Sequence, residues 1–123
     1  MNFRKLLLKS GKEALAGRNA ESNEKLIKQV SSDEIVLHTS APGSPFVNIK
    51  SSSKNITKQD IKEAAGFCAK FSQAWKKAKT KQDVDVDYFL GKDIFKLEGM
   101  KTGTFGVRKN KTIIVKKSEI EKL

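Results

Sequence analysis

The amino-acid sequence predicts an α+β fold in which a mixed or antiparallel sheet packs against one long central helix and one short helix. Short segments rich in β-branched and aromatic residues, bounded by glycine, proline and serine, are typical of strands. A segment of about 20 residues with apolar side chains at helical spacing supplies the long helix. Because no repeat or domain-scale linker interrupts the chain, residues 1–123 are expected to form a single domain.

The first predicted elements are a β-hairpin and the short helix. Strand-like residues 2–8 and 13–16 flank a turn at Ser10-Gly11-Lys12. Gly17 ends the second strand, and Asn19 has the side chain of a helix N-cap. Apolar side chains then recur on one side of the chain, which predicts a helix over about 20–30.

Two further strands and the long helix follow. Residues 35–40 and 46–50 flank a proline- and glycine-rich loop, a pattern typical of paired strands. Thr57 and Asp60 then have the spacing of a capping box. From this start, helical spacing of apolar residues predicts the central helix over about 58–79.

The last third of the chain contains four strand candidates. They are residues 84–90, 93–97, 104–109 and 112–117. The intervening Lys109-Asn110-Lys111 predicts a hairpin turn between the last two candidates.

The charge of the chain indicates a polyanionic partner. Basic residues outnumber acidic ones, 25 to 14, for a formal net charge of +11. The only arginines are Arg4, Arg18 and Arg108, and the other basic residues are lysines. Excess lysine favours non-specific attraction to polyanions, whereas arginine's planar fork suits bidentate contacts with phosphates or base edges. The alternative is that the lysines only keep the protein soluble.

The residue types argue against several classes of enzyme. One histidine, His38, and one cysteine, Cys68, leave no tetrahedral zinc set of the usual kind. Cys68 falls in the apolar stripe of the long helix, where a free cysteine is usually a buried hydrophobe. The chain has no phosphate-binding loop, dinucleotide fingerprint or nucleophile elbow. We therefore expect a non-catalytic protein with no cofactor and no metal.

The predicted compartment is the cytoplasm. The N-terminus has only three consecutive leucines before charge returns, too few for a secretory signal, and no later segment approaches the length of a membrane span. A single cysteine cannot form an internal disulfide, which fits a reducing compartment. We expect no membrane contact.

Two features leave alternatives open. Asp83, Asp85 and Asp87 alternate along a strand, so their carboxylates share one face that could bind a cation, although a solvated face is the favoured interpretation. His38 could stack on a base or bind a phosphate, but a hydrogen-bonded histidine of the core or rim is favoured.

Five segments, in order and over nearly the whole chain, resemble the NFACT-R domain. No single motif is diagnostic, and the ordered set carries the resemblance. The first segment contains Gly17-Arg18-Asn19 followed by Asn23, and the second contains His38 and Pro42-Gly43-Ser44. The five segments are ALAGRNAESNEKLI, IVLHTSAPGSPFVNIK, IKEAAGFCAKFSQAWKKAK, VDVDYF and GTFGVRKNKTIIV.

The resemblance implies an α+β RNA-binding domain. It implies that the partner is tRNA or rRNA, in the context of proteins that bind the large ribosomal subunit carrying a stalled chain and recruit tRNA. The other modules of those full-length proteins have no counterpart in the 123 residues, which leaves open whether separate chains supply them or the domain acts alone. Two alternatives remain: an adaptor that docks on an acidic protein, and a metal-dependent RNA-processing enzyme that uses the aspartate face.

The candidate RNA-binding residues come from two parts of the chain. One part is the corner before the short helix together with the loop between the second pair of strands. The other is the basic segment near the C-terminus, whose lysines, arginine and glycines are typical of a surface that follows a nucleic-acid backbone. The full set is Arg18, Asn19, Asn23, His38, Ser44, Lys101, Arg108, Lys109 and Lys111.

Overall fold

A computed structural model describes residues 3–123, which contain eight strands and four α-helices. Single 3₁₀ turns occur at Ser53–Asn55 and Gly91–Asp93. The strands are β1 (Arg4–Leu7), β2 (Glu13–Ala16), β3 (Ile35–Thr39), β4 (Val47–Ile49), β5 (Val84–Leu90), β6 (Ile94–Phe95), β7 (Gly106–Val107) and β8 (Lys111–Val115). The helices are α1 (Ala20–Lys28), α2 (Lys58–Lys70), α3 (Gln73–Lys76) and α4 (Lys117–Glu121).

Six strands form one sheet in the order β1-β2-β4-β3-β5-β8, and every neighbouring pair is antiparallel. β6 and β7 form a separate two-stranded antiparallel sheet. The predicted α+β class with an antiparallel sheet is therefore confirmed. Of the first predicted strand, residues 4–7 are extended, while residue 2 lies outside the described residues.

The six-stranded sheet has a hydrophobic core on each face, because successive strand residues point to opposite sides. On one face, Ile35 and Leu37 of β3 belong to a cluster with Ala64 and Cys68 of α2. On the other face, Val36 packs in a cluster with Leu26 of α1, Phe46 and Phe89. The sheet is thus the middle layer between α2 and α1.

None of the helices found within residues 3–123 is both long enough and apolar enough to cross a membrane.

The central helix begins where the sequence predicts. The hydroxyl of Thr57 accepts a hydrogen bond from the Asp60 amide at 3.1 Å, and the Asp60 carboxylate accepts one from the Thr57 amide at 3.0 Å. This reciprocal pair is the predicted capping box. Asn19 likewise caps α1, which ends at Lys28 rather than near residue 30.

The central helix ends at Lys70, whereas the expected helix ran to about residue 79. Ser72 has extended backbone angles, and its hydroxyl donates to the Ala69 carbonyl and accepts from the Trp75 amide, so it closes α2 and opens the four-residue α3. The Gln73 amide then donates to the Gly43 carbonyl at 2.7 Å. This contact with the loop after β3 could not be inferred from helical spacing.

The C-terminal strands are arranged differently from the prediction. Residues 93–97 and 104–109 were expected to be strands, yet only two residues of each are extended, and they pair with each other. Lys109-Asn110-Lys111 is therefore not a hairpin turn. It leads from β7 of the small sheet to β8, which pairs with β5. The terminal helix α4, which packs Ile120 into the core, was not predicted.

Cys68 lies on the face of α2 that packs into the core and is fully buried, as its place in the apolar stripe predicts. Its sulfur lies 3.5 Å from the Pro45 carbonyl and 3.8 Å from the Ser44 hydroxyl. Burial raises the pKa of the thiol to about 12. The side chain is therefore a packed hydrophobe and not an ionised nucleophile at neutral pH.

Asp60 links α2 to the β1–β2 hairpin. Besides the cap, its carboxylate accepts a hydrogen bond from the Ser10 hydroxyl at 2.7 Å and forms an ion pair with Lys12 at 3.0 Å. Burial opposes ionisation, but these bonds and the Thr57 amide outweigh it and lower the pKa of Asp60 to about 2. Because the folded-state pKa is depressed, the ionised carboxylate stabilises the fold above about pH 4, and this contribution is lost as pH falls toward 2.

We expect Asp60→Asn to lower the free energy of unfolding at pH 7 by on the order of 1–2 kcal/mol, since it removes the charge that Lys12 and the helix N-terminus stabilise. Urea unfolding followed by circular dichroism at pH 7, 4 and 2.5 measures the effect. The difference from the wild type should shrink toward pH 2.5, where the carboxyl of Asp60 is already protonated in the unfolded chain and the pH nears its folded-state pKa. Glu98→Gln, an exposed loop change, is the control. A difference that does not vary with pH would contradict this assignment.

Candidate nucleic-acid interface

An open cleft of about 600 Å³ lies at one end of the six-stranded sheet, beyond the end of β3 and between the start of α1 and the residues that follow α2. Four segments form it: residues 17–23 at the start of α1, the loop 38–46 after β3, the loop 102–105 before β7, and a cluster around Phe71. We call this space the cleft. Five of the nine predicted RNA-binding residues line it: Arg18, Asn19, Asn23, His38 and Ser44.

Gly17 and Asn23 join the start of α1 to the strand β4. The Gly17 amide donates to the Phe46 carbonyl at 3.1 Å, and the side-chain oxygen of Asn23 accepts from the Phe46 amide at 3.2 Å. A Cβ at residue 17 would lie 1.8 Å from that Asn23 oxygen. The glycine is therefore required for the close approach of Asn23, and the buried Asn23 has a structural role as well as a place in the cleft.

The backbone before α1 holds Arg18 at the mouth of the cleft. The Ser22 hydroxyl accepts hydrogen bonds from the amides of Arg18 and Asn19, at 2.6 and 3.0 Å. The Asn19 side chain accepts from the Ser22 amide at 2.9 Å and completes a capping box. Asn19 is thus a cap whose side chain is already bonded, whereas Arg18 is exposed on a fixed backbone.

The guanidinium of Arg18 makes no ion pair or hydrogen bond with any residue in the range 3–123. Among the described residues, neither the nearby Glu21 nor Asp33 forms an ion pair with it. Asp33 instead accepts hydrogen bonds from Ser52 and Ser53, which lower its pKa. A cation beside the positive end of a helix is unfavourable on its own, and a bound anion would relieve this repulsion.

A network around Glu24 holds the loop 102–105 against α1. Gly103 has a φ of +82°, and its amide donates to the Glu24 carboxylate at 2.7 Å. Lys96 binds the same carboxylate at 3.0 Å and the carbonyls of Lys101 and Thr104 at 2.6 and 2.8 Å. The Gly103 hydrogen bond, followed by Lys96, lowers the pKa of Glu24. The loop 102–105 therefore forms one wall of the cleft.

Three rings form the floor of the cleft. The buried Phe46 contacts His38 at a centroid distance of 4.4 Å and Phe105 at 5.6 Å in an edge-to-face arrangement. His38 and Phe105 are only half-buried. The floor therefore offers partly exposed ring surface to a ligand.

His38 is a neutral hydrogen-bond acceptor in this site. Its Nδ1 lies 2.7 Å from the Thr39 carbonyl, which can only accept, so Nδ1 carries the proton. Burial lowers the pKa of the imidazole, against the opposing effects of the Thr39 carbonyl and Asp87. In the neutral ring Nε2 then has a free lone pair. The bond to Thr39 agrees with the favoured interpretation of a hydrogen-bonded histidine, and any ligand at Nε2 would have to be a donor rather than a phosphate.

Ser44 shapes the loop. Its hydroxyl accepts from the Thr39 amide at 3.0 Å and donates to the Pro45 carbonyl at 3.1 Å. The side chain is therefore bonded within the loop, at the edge of the cleft.

A cationic cluster that sequence reasoning missed forms another wall. The guanidinium of Arg4 lies 4.5 Å from the centre of the Phe71 ring, and the ammonium groups of Lys76 and Lys70 lie at 5.4 and 6.0 Å. The sequence distinguishes Arg4 only as one of three arginines. The cluster depends on the helix break at Ser72, which places Phe71 beside β1 and could not be inferred from spacing.

The predicted residues of the C-terminal segment lie apart from the cleft. Arg108, Lys109 and Lys111 border a separate depression of about 710 Å³, together with Tyr88 and Leu90. Arg108 stacks on Phe95 at 5.1 Å. Lys101 is exposed, and its side chain does not line the cleft.

The aspartate face of β5 is used in hydrogen bonds. Asp87 accepts from the hydroxyls of Ser40 and Thr112, both at 2.7 Å, and Asp83 accepts from the Lys117 amide at 2.7 Å. Within the described part of the chain, no three histidine, cysteine or acidic side chains are grouped so that they could hold a metal ion.

Comparisons with known proteins agree with this architecture. The chain is 39% identical over 108 residues to the Rqc2 homolog RqcH of Bacillus subtilis, covering 86% of this chain and 18% of that protein. It is 38% identical over 63 residues to the archaeal Rqc2 homolog aRqcH of Methanocaldococcus jannaschii, covering 50% of this chain and 9% of that protein. The chain thus spans less than a fifth of the length of either relative.

The fold matches a solved structure, the C-terminal part of the fibronectin/fibrinogen-binding protein from Streptococcus suis. The TM-score is 0.83 at 24% identity, over the whole of this chain and 49% of that one. The family model described as the NFACT protein RNA binding domain matches residues 3–109, which include every residue that lines the cleft. The resemblance drawn from the five ordered segments is confirmed, and the chain belongs to the family of NFACT protein RNA binding domains.

Proposed function

We propose that the chain is a non-catalytic domain that binds structured RNA, tRNA or rRNA, through the cleft. The observation that carries the proposal is the exposed guanidinium of Arg18, which lies without an acidic partner among the described residues at the N-terminus of α1. Family membership independently supports RNA as the polyanion.

The charge distribution around the cleft supports phosphate binding. Arg4 and Lys76 line the cleft near Phe71, and Arg18 lines it from the start of α1. Asp87 is the one acidic residue among the lining residues, and its carboxylate is engaged by two hydroxyls. The net charge of +11 adds a long-range attraction through counterion release.

The proposed context is translation. The two curated relatives are named as Rqc2 homologs, and the resemblance to full-length NFACT proteins implies contact with the large ribosomal subunit. The chain matches less than a fifth of either relative. We therefore propose only the RNA-binding part of their activity for this domain, in the cytoplasm, with the remaining modules supplied by other chains or segments.

The affinity for tRNA should fall roughly a thousandfold between about 50 and 200 mM salt, because about six phosphate contacts release counterions on binding. Fluorescence anisotropy with end-labelled tRNA at several salt concentrations measures the slope. A dissociation constant that does not change with salt would contradict binding through phosphates.

Arg18→Ala should weaken tRNA binding by roughly tenfold, since it removes a cation that can make two hydrogen bonds to one phosphate. Lys122→Ala, an equally exposed basic residue outside the cleft, should change the affinity less than twofold and is the matched control. Arg18→Lys should give an intermediate loss because the charge remains and the planar fork does not. Equal losses for the alanine variants of Arg18 and Lys122 would mean that the cleft is not the binding site.

A further inference from the structure

We infer that the cleft receives a single unpaired nucleotide of the RNA, and that His38 selects it by accepting a hydrogen bond at Nε2. This inference rests on the proposed function, because it specifies which part of an RNA enters the same site. The argument uses the size of the cleft, its aromatic floor and the protonation of His38.

The size and shape of the cleft suit a small group rather than a duplex. A volume of about 600 Å³ lies within the range of sites that enclose small ligands. A-form RNA has a deep, narrow major groove and a wide, shallow minor groove, and the double-stranded RNA-binding domains that recognise its shape span about 16 base pairs. Loops 38–46 and 102–105 form the walls of a concave site, which only a group that projects from the RNA surface can enter. An unpaired nucleotide can project from a helix in this way.

The floor of the cleft provides surfaces for base stacking. His38 and Phe105 are partly exposed at the cleft, and the buried Phe46 supports both rings. Unpaired bases are commonly held against such rings, because every base has an apolar face. The ammonium of Lys96 lies 4.6 Å from the centre of the Phe105 ring.

His38 adds a selective polar contact. The Thr39 carbonyl holds the Nδ1 proton, so Nε2 is an acceptor while the ring is neutral. Asp87, the residue paired with His38 on the neighbouring strand, is engaged by Ser40 and Thr112. The partner of Nε2 must therefore be a hydrogen-bond donor. In a nucleotide the donors are the exocyclic amines and ring N–H groups of the bases and the ribose 2′-hydroxyl, and a 2-aminopurine nucleotide offers only its amine and its 2′-hydroxyl.

The cations at the cleft are suited to the phosphates that flank an unpaired nucleotide. Arg18 precedes α1, while Arg4 and Lys76 surround Phe71 on a different wall. Cations on two walls can hold a backbone that enters and leaves the site, while the base occupies the floor between them.

The test compares two RNA hairpins of equal length and charge, one fully paired and one with a single bulged 2-aminopurine. We expect the bulged hairpin to bind roughly tenfold more tightly, with a change in 2-aminopurine fluorescence on binding, because the base stacks in the cleft. His38→Ala should remove most of this preference. His38→Phe should keep the fluorescence change and lose part of the preference, because it retains a ring without an acceptor.

Two further hairpins distinguish the donor groups. A bulged 2′-deoxynucleotide that binds more weakly than its ribose counterpart identifies the 2′-hydroxyl as the donor, whereas a bulged purine without an exocyclic amine that binds more weakly identifies the base. If neither change matters, the hydrogen bond to His38 is contradicted. Phe105→Ala is a second variant that removes stacking should His38 variants fold poorly.

The outcomes separate the inference from the proposed function. Equal affinity for the paired and bulged hairpins, with binding that still depends on salt and on Arg18, would overturn the unpaired-nucleotide inference and leave RNA binding intact. Absence of binding to either hairpin and to tRNA at low salt would overturn both.

Discussion

The geometry of the candidate site depends on one hydrogen bond, which the side-chain oxygen of Asn23 accepts from the backbone amide of Phe46. Gly17 lies beside this bond, and a side chain at position 17 would collide with the Asn23 oxygen. This contact ties α1 to the start of β4, so the arginine before the helix and the ring of Phe46 border one cleft. An aliphatic residue at position 23 would leave the buried Phe46 amide without this partner, at a cost of about 1–3 kcal/mol.

The remaining walls are attached to this corner by contacts between distant parts of the chain. Glu24 on α1 holds Gly103 and Lys96, which closes the cleft with the loop before β7. Unlike Lys96, which is paired with Glu24, the cations that surround Phe71 have no acidic partner within the described residues. These cations are Arg4, Lys70 and Lys76. The site thus combines a hydrogen-bonded polar corner with a surface whose cations have no acidic partner among the described residues.

Local sequence signals were sufficient for the fold class, the helix starts at Asn19 and Thr57, and the core position of Cys68, because caps and periodic patterns act over a few residues. The resemblance added Asn23 and Ser44, whose bonds to Phe46 and Thr39 are not evident from spacing. The end of α2, the pairing of β6 with β7 and the Arg4 cluster depend on tertiary contacts such as Gln73 to Gly43, which no local pattern encodes. Whether Lys101, Arg108, Lys109 and Lys111 contact RNA stays a prediction, and the structure places them outside the cleft.

The most direct test of the central claim is to map RNA contacts by NMR on the ¹⁵N-labelled domain during titration with a short RNA hairpin. If the cleft is the binding site, the largest amide shifts will fall in residues 17–20, 38–44 and 102–105, with a matching shift at the Arg18 side-chain Nε. Residues 58–66, the first turns of the central helix, should shift little, because none of them lines the cleft. Shifts confined to residues 108–115, with the cleft unchanged, would contradict the account.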